Sequence, residues 1–118
     1  MIYALLANGF EEVEALTVVD ILRRAEIDVQ TVSIYDSKTV TGGHGILVTA
    51  DITLSEMKEG DMVFLPGGMP GVTNLEADKT VIQILKDYEK SGKYIAYFQA
   101  FTNTYAPIDE LRKKYYEA

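Results

Sequence analysis

Apolar residues occur in short unbroken runs that alternate with stretches of helical spacing. Ile2 to Ala7 is apolar at every position and stops at Asn8-Gly9, which predicts a buried strand ending at a turn. From Glu11 the spacing changes. Val13, Leu16, Val19 and Leu22, with Val18 and Ile21 beside them, form one broad apolar stripe and predict a helix. Glu11, Glu12 and Glu14 crowd its first turn and Arg23 and Arg24 its last, matching the helix dipole at both ends. Val29 to Ile34 then reads as a second strand. The opening unit is thus β-α-β, whose crossover is right-handed and joins parallel strands.

Thr39 to Thr41 and Ile46 to Thr49, separated by Gly42-Gly43-His44-Gly45, predict a small β-hairpin or flap. Met62 to Leu65 is a third main strand and runs into Pro66-Gly67-Gly68-Met69-Pro70-Gly71. A helix should start near Thr73 or Asn74, bury Val81, Ile82, Leu85 and Tyr88, and stop at Ser91-Gly92. Tyr94 to Phe98 is the last strand, and Pro107 to Tyr116 a final helix. Apolar strands alternating with helices imply an α/β fold with a parallel sheet covered on both faces. Ligands of such sheets bind beyond the carboxyl ends of the strands. The loops Asn8 to Glu14, Pro66 to Thr73 and Gln99 to Tyr105 should gather there.

At 118 residues and 47% hydrophobic content the chain is expected to form a single domain, 1–118, with a real core. Its net charge of -7 disfavours nucleic acid and anionic membrane surfaces. No run approaches the roughly 18–20 apolar residues of a membrane span, and the amino terminus lacks the basic lead of a signal peptide. A cytoplasmic location is the expectation by elimination. There is no cysteine, hence no disulfide, thiol nucleophile or thiolate metal site. No metal or cofactor is expected.

Three places could carry chemistry. Glycines after the third main strand can turn backbone N–H groups of Gly67 and Gly68 towards a ligand. The loop is no P-loop, since no Gly-Lys-Ser/Thr follows, and it is not a GxGxxG turn. In the acidic turn Glu11 and Glu12 read as helix-dipole charges, whereas Glu14 is offset and could point along the strand ends. His44 lies in the glycine-rich flap with no carboxylate near it in sequence, and reads as a surface histidine. The 8 tyrosines read as packing residues.

Together these segments resemble the ThiJ/PfpI superfamily. The likeness is carried by Leu5-Leu6-Ala7-Asn8-Gly9-Phe10-Glu11-Glu12-Val13-Glu14-Ala15, Val19-Asp20-Ile21-Leu22-Arg23-Arg24-Ala25, Thr39 to Ile46, and Leu65 to Gly71 with Asn74-Leu75. It runs from Met1 to about Ala96. It implies a flavodoxin-like three-layer sandwich, truncated here, with a parallel sheet in strand order about 2-1-3-4 and a small β-hairpin, and commonly a dimer. It also implies that Glu14 would hydrogen-bond a nucleophilic cysteine while Gly67 and Gly68 help form an oxyanion pocket. The position matching that cysteine is Gln99, and a carboxamide is not a practical nucleophile. Residues 94–118 are instead similar to a strand-loop-helix segment of radical S-adenosylmethionine enzymes, without their cluster cysteines. A chimera with a foreign or diverged strand-helix from about 93 is the expectation that follows.

The expected function is therefore an inactive scaffold in which Glu14 and Gln99 are vestigial and Glu14, Gly67 and Gly68 remain as a ligand-binding corner. A binding or chaperone-like dimer, or a weak glyoxalase- or deglycase-type enzyme using Glu14, are the alternatives. An apolar strand at 94–98, placed at a sheet edge, should pair chains into a homodimer or a domain-swapped assembly.

Overall fold

The computed structural model of the chain describes residues 1–98. Its elements are β1 (Ile2–Leu6), α1 (Glu12–Arg24), β2 (Val29–Ser33), β3 (Thr39–Thr41), β4 (Leu47–Thr49), β5 (Ile52–Thr53), β6 (Met62–Leu65), α2 (Gly71–Ala77), α3 (Lys79–Lys90) and β7 (Tyr94–Tyr97). Gln99, the loop that follows it and the helix expected at 107–116 lie outside the described residues.

Five strands form one sheet in the order β5-β2-β1-β6-β7, every neighbouring pair parallel. The expected order 2-1-3-4 is its β2-β1-β6-β7 portion. β5 was not anticipated: it is two residues long, below the length at which an apolar pattern is legible, and it pairs Val32 with Ile52. Asp51 anchors it. Its Oδ2 accepts from the Thr31 N–H at 2.9 Å, the Thr31 hydroxyl at 3.1 Å and Arg23 Nη2 at 2.7 Å.

Alternation along β1 assigns the layers. Tyr3 and Leu5 pack with Val72 and Leu75 of α2 and with Val81, Leu85 and Tyr88 of α3. Ala4 faces the other way, against Val19 of α1. The sheet is thus covered on both faces, α1 on one and α2 with α3 on the other, as the three-layer expectation required.

Two helices differ from their sequence reading. In α1 the buried residues are Glu12, Ala15 and Val19, while Val13 is 71% and Ile21 58% exposed. Apolar residues wrap most of this helix, so their spacing alone could not single out the inward face. Small Ala15 marks it, because a short side chain lets the helix approach the sheet closely. The helix expected from about Thr73 to Lys90 is two helices. Asp78 has extended backbone (φ -88, ψ 117), ends α2, and caps α3 by accepting from the Val81 N–H at 2.9 Å.

The β3–β4 hairpin forms as expected, an antiparallel pair with Val40 opposite Val48. Val40 is fully buried against Leu6, Phe10 and Ala15, which seats the hairpin on the first βα turn. No helix of the described residues is long and apolar enough to cross a membrane.

Candidate functional site

The site is assembled around the turn that carries the chain from β1 into α1. Glu11 caps the helix, its carboxylate accepting from the Val13 N–H at 2.7 Å. One turn in, Glu14 is half-buried and its Oε1 accepts from the Gly67 N–H at 2.9 Å. The carbonyl of Gly67 in turn accepts from the Glu11 N–H at 2.9 Å. Both sides of one residue are thereby tied to α1. Gly68 follows with φ +98, and a Cβ there would stand 2.6 Å from the Glu11 nitrogen. Only glycine allows the loop to approach the helix so closely.

Asn8 joins this loop to the hairpin. Its carbonyl accepts from Asn74 Nδ2 at 2.7 Å, and its Oδ1 accepts from the Thr41 N–H at 3.0 Å. The Gly9 N–H reaches the Thr41 carbonyl at 2.8 Å, and the Gly43 N–H the Phe10 carbonyl at 2.7 Å. Two of the three loops expected at the strand ends therefore meet, and the hairpin joins them. The third, with Gln99, lies outside the described residues.

Of the residues singled out from the sequence, the structure brings Glu14 and Gly67 into direct contact and sets Gly68 beside them. The Gly67 N–H, expected to face a ligand, is directed at the Glu14 carboxylate instead. The sequence reading missed Glu12. Taken for a solvated dipole charge, it is 3% exposed, and its Oε2 accepts from the N–H groups of His44 and Ile46 at 2.8 and 3.3 Å. Its Oε1 lies 2.7 Å from His44 Nδ1. His44 therefore has the carboxylate partner that its sequence neighbourhood lacked. A Cβ on Gly42 would overlap the Glu12 side chain. The glycines of the hairpin tip were the available signal, since they leave room for a side chain to enter beneath.

Electrostatics follow from these contacts. Burial would raise the Glu12 carboxyl, but hydrogen bonds from the His44 ring and from backbone N–H groups, including those of His44 and Ile46, outweigh it and hold it at about 2. The hydrogen bond that the ring donates to Glu12, then the charge of Glu12 and that of Glu11, raise His44 above its usual 6.5, against desolvation. Ligand atoms of Glu11, Glu12 and His44 lie within 4.8 Å of one another. However, Glu12 already accepts three hydrogen bonds, and the amino-terminal end of α1 disfavours a cation. The set suits a hydrogen-bonded clasp better than a metal.

The model of the DJ-1/PfpI family matches residues 1–98. The Parkinson disease protein 7 homolog of Danio rerio is 36% identical over 95 residues, 78% of this chain and 50% of that protein. The crystal structure of a cysteine-to-alanine mutant of the DJ-1 superfamily protein STM1931 from Salmonella typhimurium superposes with a TM-score of 0.81. It is 42% identical and covers 85% of this chain and 55% of its own. A separate short match, 73% identical over 26 residues, is to the uncharacterized protein YtqA of Bacillus subtilis (strain 168), covering 22% of this chain and 8% of that protein. The chain spans between 20% and 50% of the length of the first curated relatives it matches. The family model covers every described residue, and the parallel sheet order agrees with that fold: the chain belongs to the DJ-1/PfpI family.

Proposed function

We propose that this chain is a DJ-1/PfpI domain that serves as a binding scaffold and carries out no covalent cysteine chemistry. The observation that carries the reading is chemical: the 118 residues contain no cysteine, and Gln99 stands at the position matched to the family nucleophile. An amide cannot be activated as a thiolate can, whatever surrounds it. Glu14 and the Gly67-Gly68 turn remain as a polar corner for a small molecule, with Glu14 as acceptor and Gly68 beside it. The test is methylglyoxal consumption by the purified chain, with Glu14→Gln alongside. The expected result is no loss beyond that in a heat-denatured control for either protein. Turnover that disappears in Glu14→Gln would replace this reading with a glyoxalase- or deglycase-type enzyme using Glu14.

A homodimer or a domain-swapped assembly is the second reading, supported by β7. This strand stands at an edge of the sheet among the described residues, with Tyr94 66% exposed and Phe98, just past it, 39% exposed. Sedimentation that finds monomer alone at high concentration counts against it. A cytoplasmic location and a chaperone-like role belong to the same proposal.

The segment from about residue 93 is proposed to have a separate origin. That reading rests on the likeness of residues 94–118 to a strand-loop-helix segment of radical S-adenosylmethionine enzymes. A genomic locus encoding an uninterrupted family sequence, with cysteine at the position of Gln99, overturns it.

A further inference from the structure

The hairpin is attached to the body in two ways. Its base is held by contacts indifferent to pH: Val40 packs on Leu6, Phe10 and Ala15, and backbone bonds link Thr41 to Gly9 and Gly43 to Phe10. Among the described residues, its tip beyond Gly43 is held to the body by one carboxylate. Glu12 reaches out of α1 beneath Gly42 and accepts from the His44 and Ile46 N–H groups and from the His44 ring. The anion is buried, while the His44 side chain is 71% exposed. A proton can therefore reach or leave the imidazole without any opening of the core.

We propose that Glu12 and His44 form a pH-sensitive latch that pins the hairpin tip, residues 44–46, over the first turn of α1. Among the described residues, the charged groups acting on the imidazole are Glu12 and Glu11, both from α1 and both anionic. The neighbouring loop, Pro66 to Gly71, has no titratable side chain, and His44 is the sole titratable residue of the tip. Both carboxylates favour the imidazolium, so its pKa in the closed state lies above the usual 6.5. The sign follows by linkage. The charge-assisted part of the latch is complete below 6.5 and is lost as pH rises through the raised value. Glu12, held at about 2, stays ionised throughout that range. A neutral ring can still donate its Nδ1–H to Glu12, so the tip loosens and is not cast off. Opening uncovers Glu12 and the start of α1 beside the Gly67 peptide, at the sheet end where ligands of parallel sheets bind.

The test is nuclear magnetic resonance on the whole chain from pH 5.5 to 9, following the His44 ring and amide exchange corrected for intrinsic rates. The expected ring midpoint lies above 6.5. Across it, protection at the His44 and Ile46 N–H groups falls by roughly three- to tenfold, the difference between a charge-assisted and a neutral hydrogen bond. The Gly9 and Gly43 N–H groups at the base show no such step. Glu12→Gln lowers the ring midpoint more than Glu11→Gln does. His44→Gln, whose fold is checked by β1 amide protection, loses the pH step. A wild-type midpoint at or below 6.5, or an equal step in His44→Gln, overturns the latch.

Discussion

The Glu14 carboxylate and the Gly67 N–H meet at 2.9 Å, joining α1 to the loop after β6 across 53 residues of sequence. The contact satisfies a backbone donor that the tight glycine loop could not pair within itself. Glu14→Ala leaves that N–H without its acceptor and should cost about 1–2 kcal/mol, the lower part of the range for bonds to charged groups because the site is half-exposed. Glu14→Gln keeps an acceptor oxygen and should cost under about 1 kcal/mol. Urea unfolding of both variants checks the ranking, and equal losses would mean that the bond contributes nothing.

Two glycines separate backbone strain from crowding. Gly68 (φ +98) and Gly45 (φ +80) both occupy the conformation that side chains avoid. A Cβ on Gly68 would meet the Glu11 nitrogen at 2.6 Å, whereas one on Gly45 would meet nothing within 4 Å. Gly45→Ala should therefore cost about 1–2 kcal/mol, the backbone term alone. Gly68→Ala should cost about 2–4 kcal/mol, because the loop must also move away from α1. Similar losses in urea unfolding at the two sites would show that the approach of Gly68 to Glu11 is unimportant.

These contacts show where the sequence was legible. Ile2–Leu6 and Met62–Leu65 are covered on both faces, so continuous apolar runs revealed them, and their parallel pairing followed from the intervening helices. Glu14 was legible because its position along α1 set it apart from the dipole charges. Glu12 was not. Its burial depends on a hairpin more than thirty residues away folding back with glycines at its tip, a tertiary fact with no local pattern. The inner face of α1 was hidden for a related reason, since packing against the sheet selected Ala15 over the larger Val13 and Leu16.

Acid should weaken the fold in a defined window. Glu12, Asp51 and Glu56 are each held below their ordinary values of 4.5, 3.8 and 4.5, with Glu12 at about 2. Groups depressed in the folded state stabilise it above their unfolded values, and that stabilisation is lost as pH falls through the folded ones. Wild-type stability should therefore decline from about pH 4.5 downwards. Glu12→Gln should melt roughly 5–10 °C lower than wild type at pH 5.5, because the ionic acceptor of three N–H groups becomes a neutral amide. Protonation of wild-type Glu12 removes the same charge, so the gap should narrow towards pH 2. Thermal melts at pH 5.5, 4, 3 and 2 test this, and a constant gap would show that Glu12 is not depressed by its contacts.

The break between α2 and α3 rests on Asp78, the one residue there with an extended backbone and a side chain that accepts from the Val81 N–H. Without that acceptor, the N–H of Val81, a fully buried residue in the first turn of α3, is left unsatisfied. Asp78→Ala should cost about 1 kcal/mol, as loss of a helix cap does, whereas Asp78→Asn or Asp78→Ser, which can still cap, should cost under about half of that. Alanine also favours helix, so the variant has a route to a continuous helix from 71 to 90 that the wild type lacks. Such a helix would place Val72 and Val81 on opposite sides of one axis, so both could not stay in the shared cluster under β1 and β6. Circular dichroism should therefore show no gain in helix despite the better propensity. A gain in helix accompanied by unchanged stability would mean that the junction is set by nothing stronger than the cap.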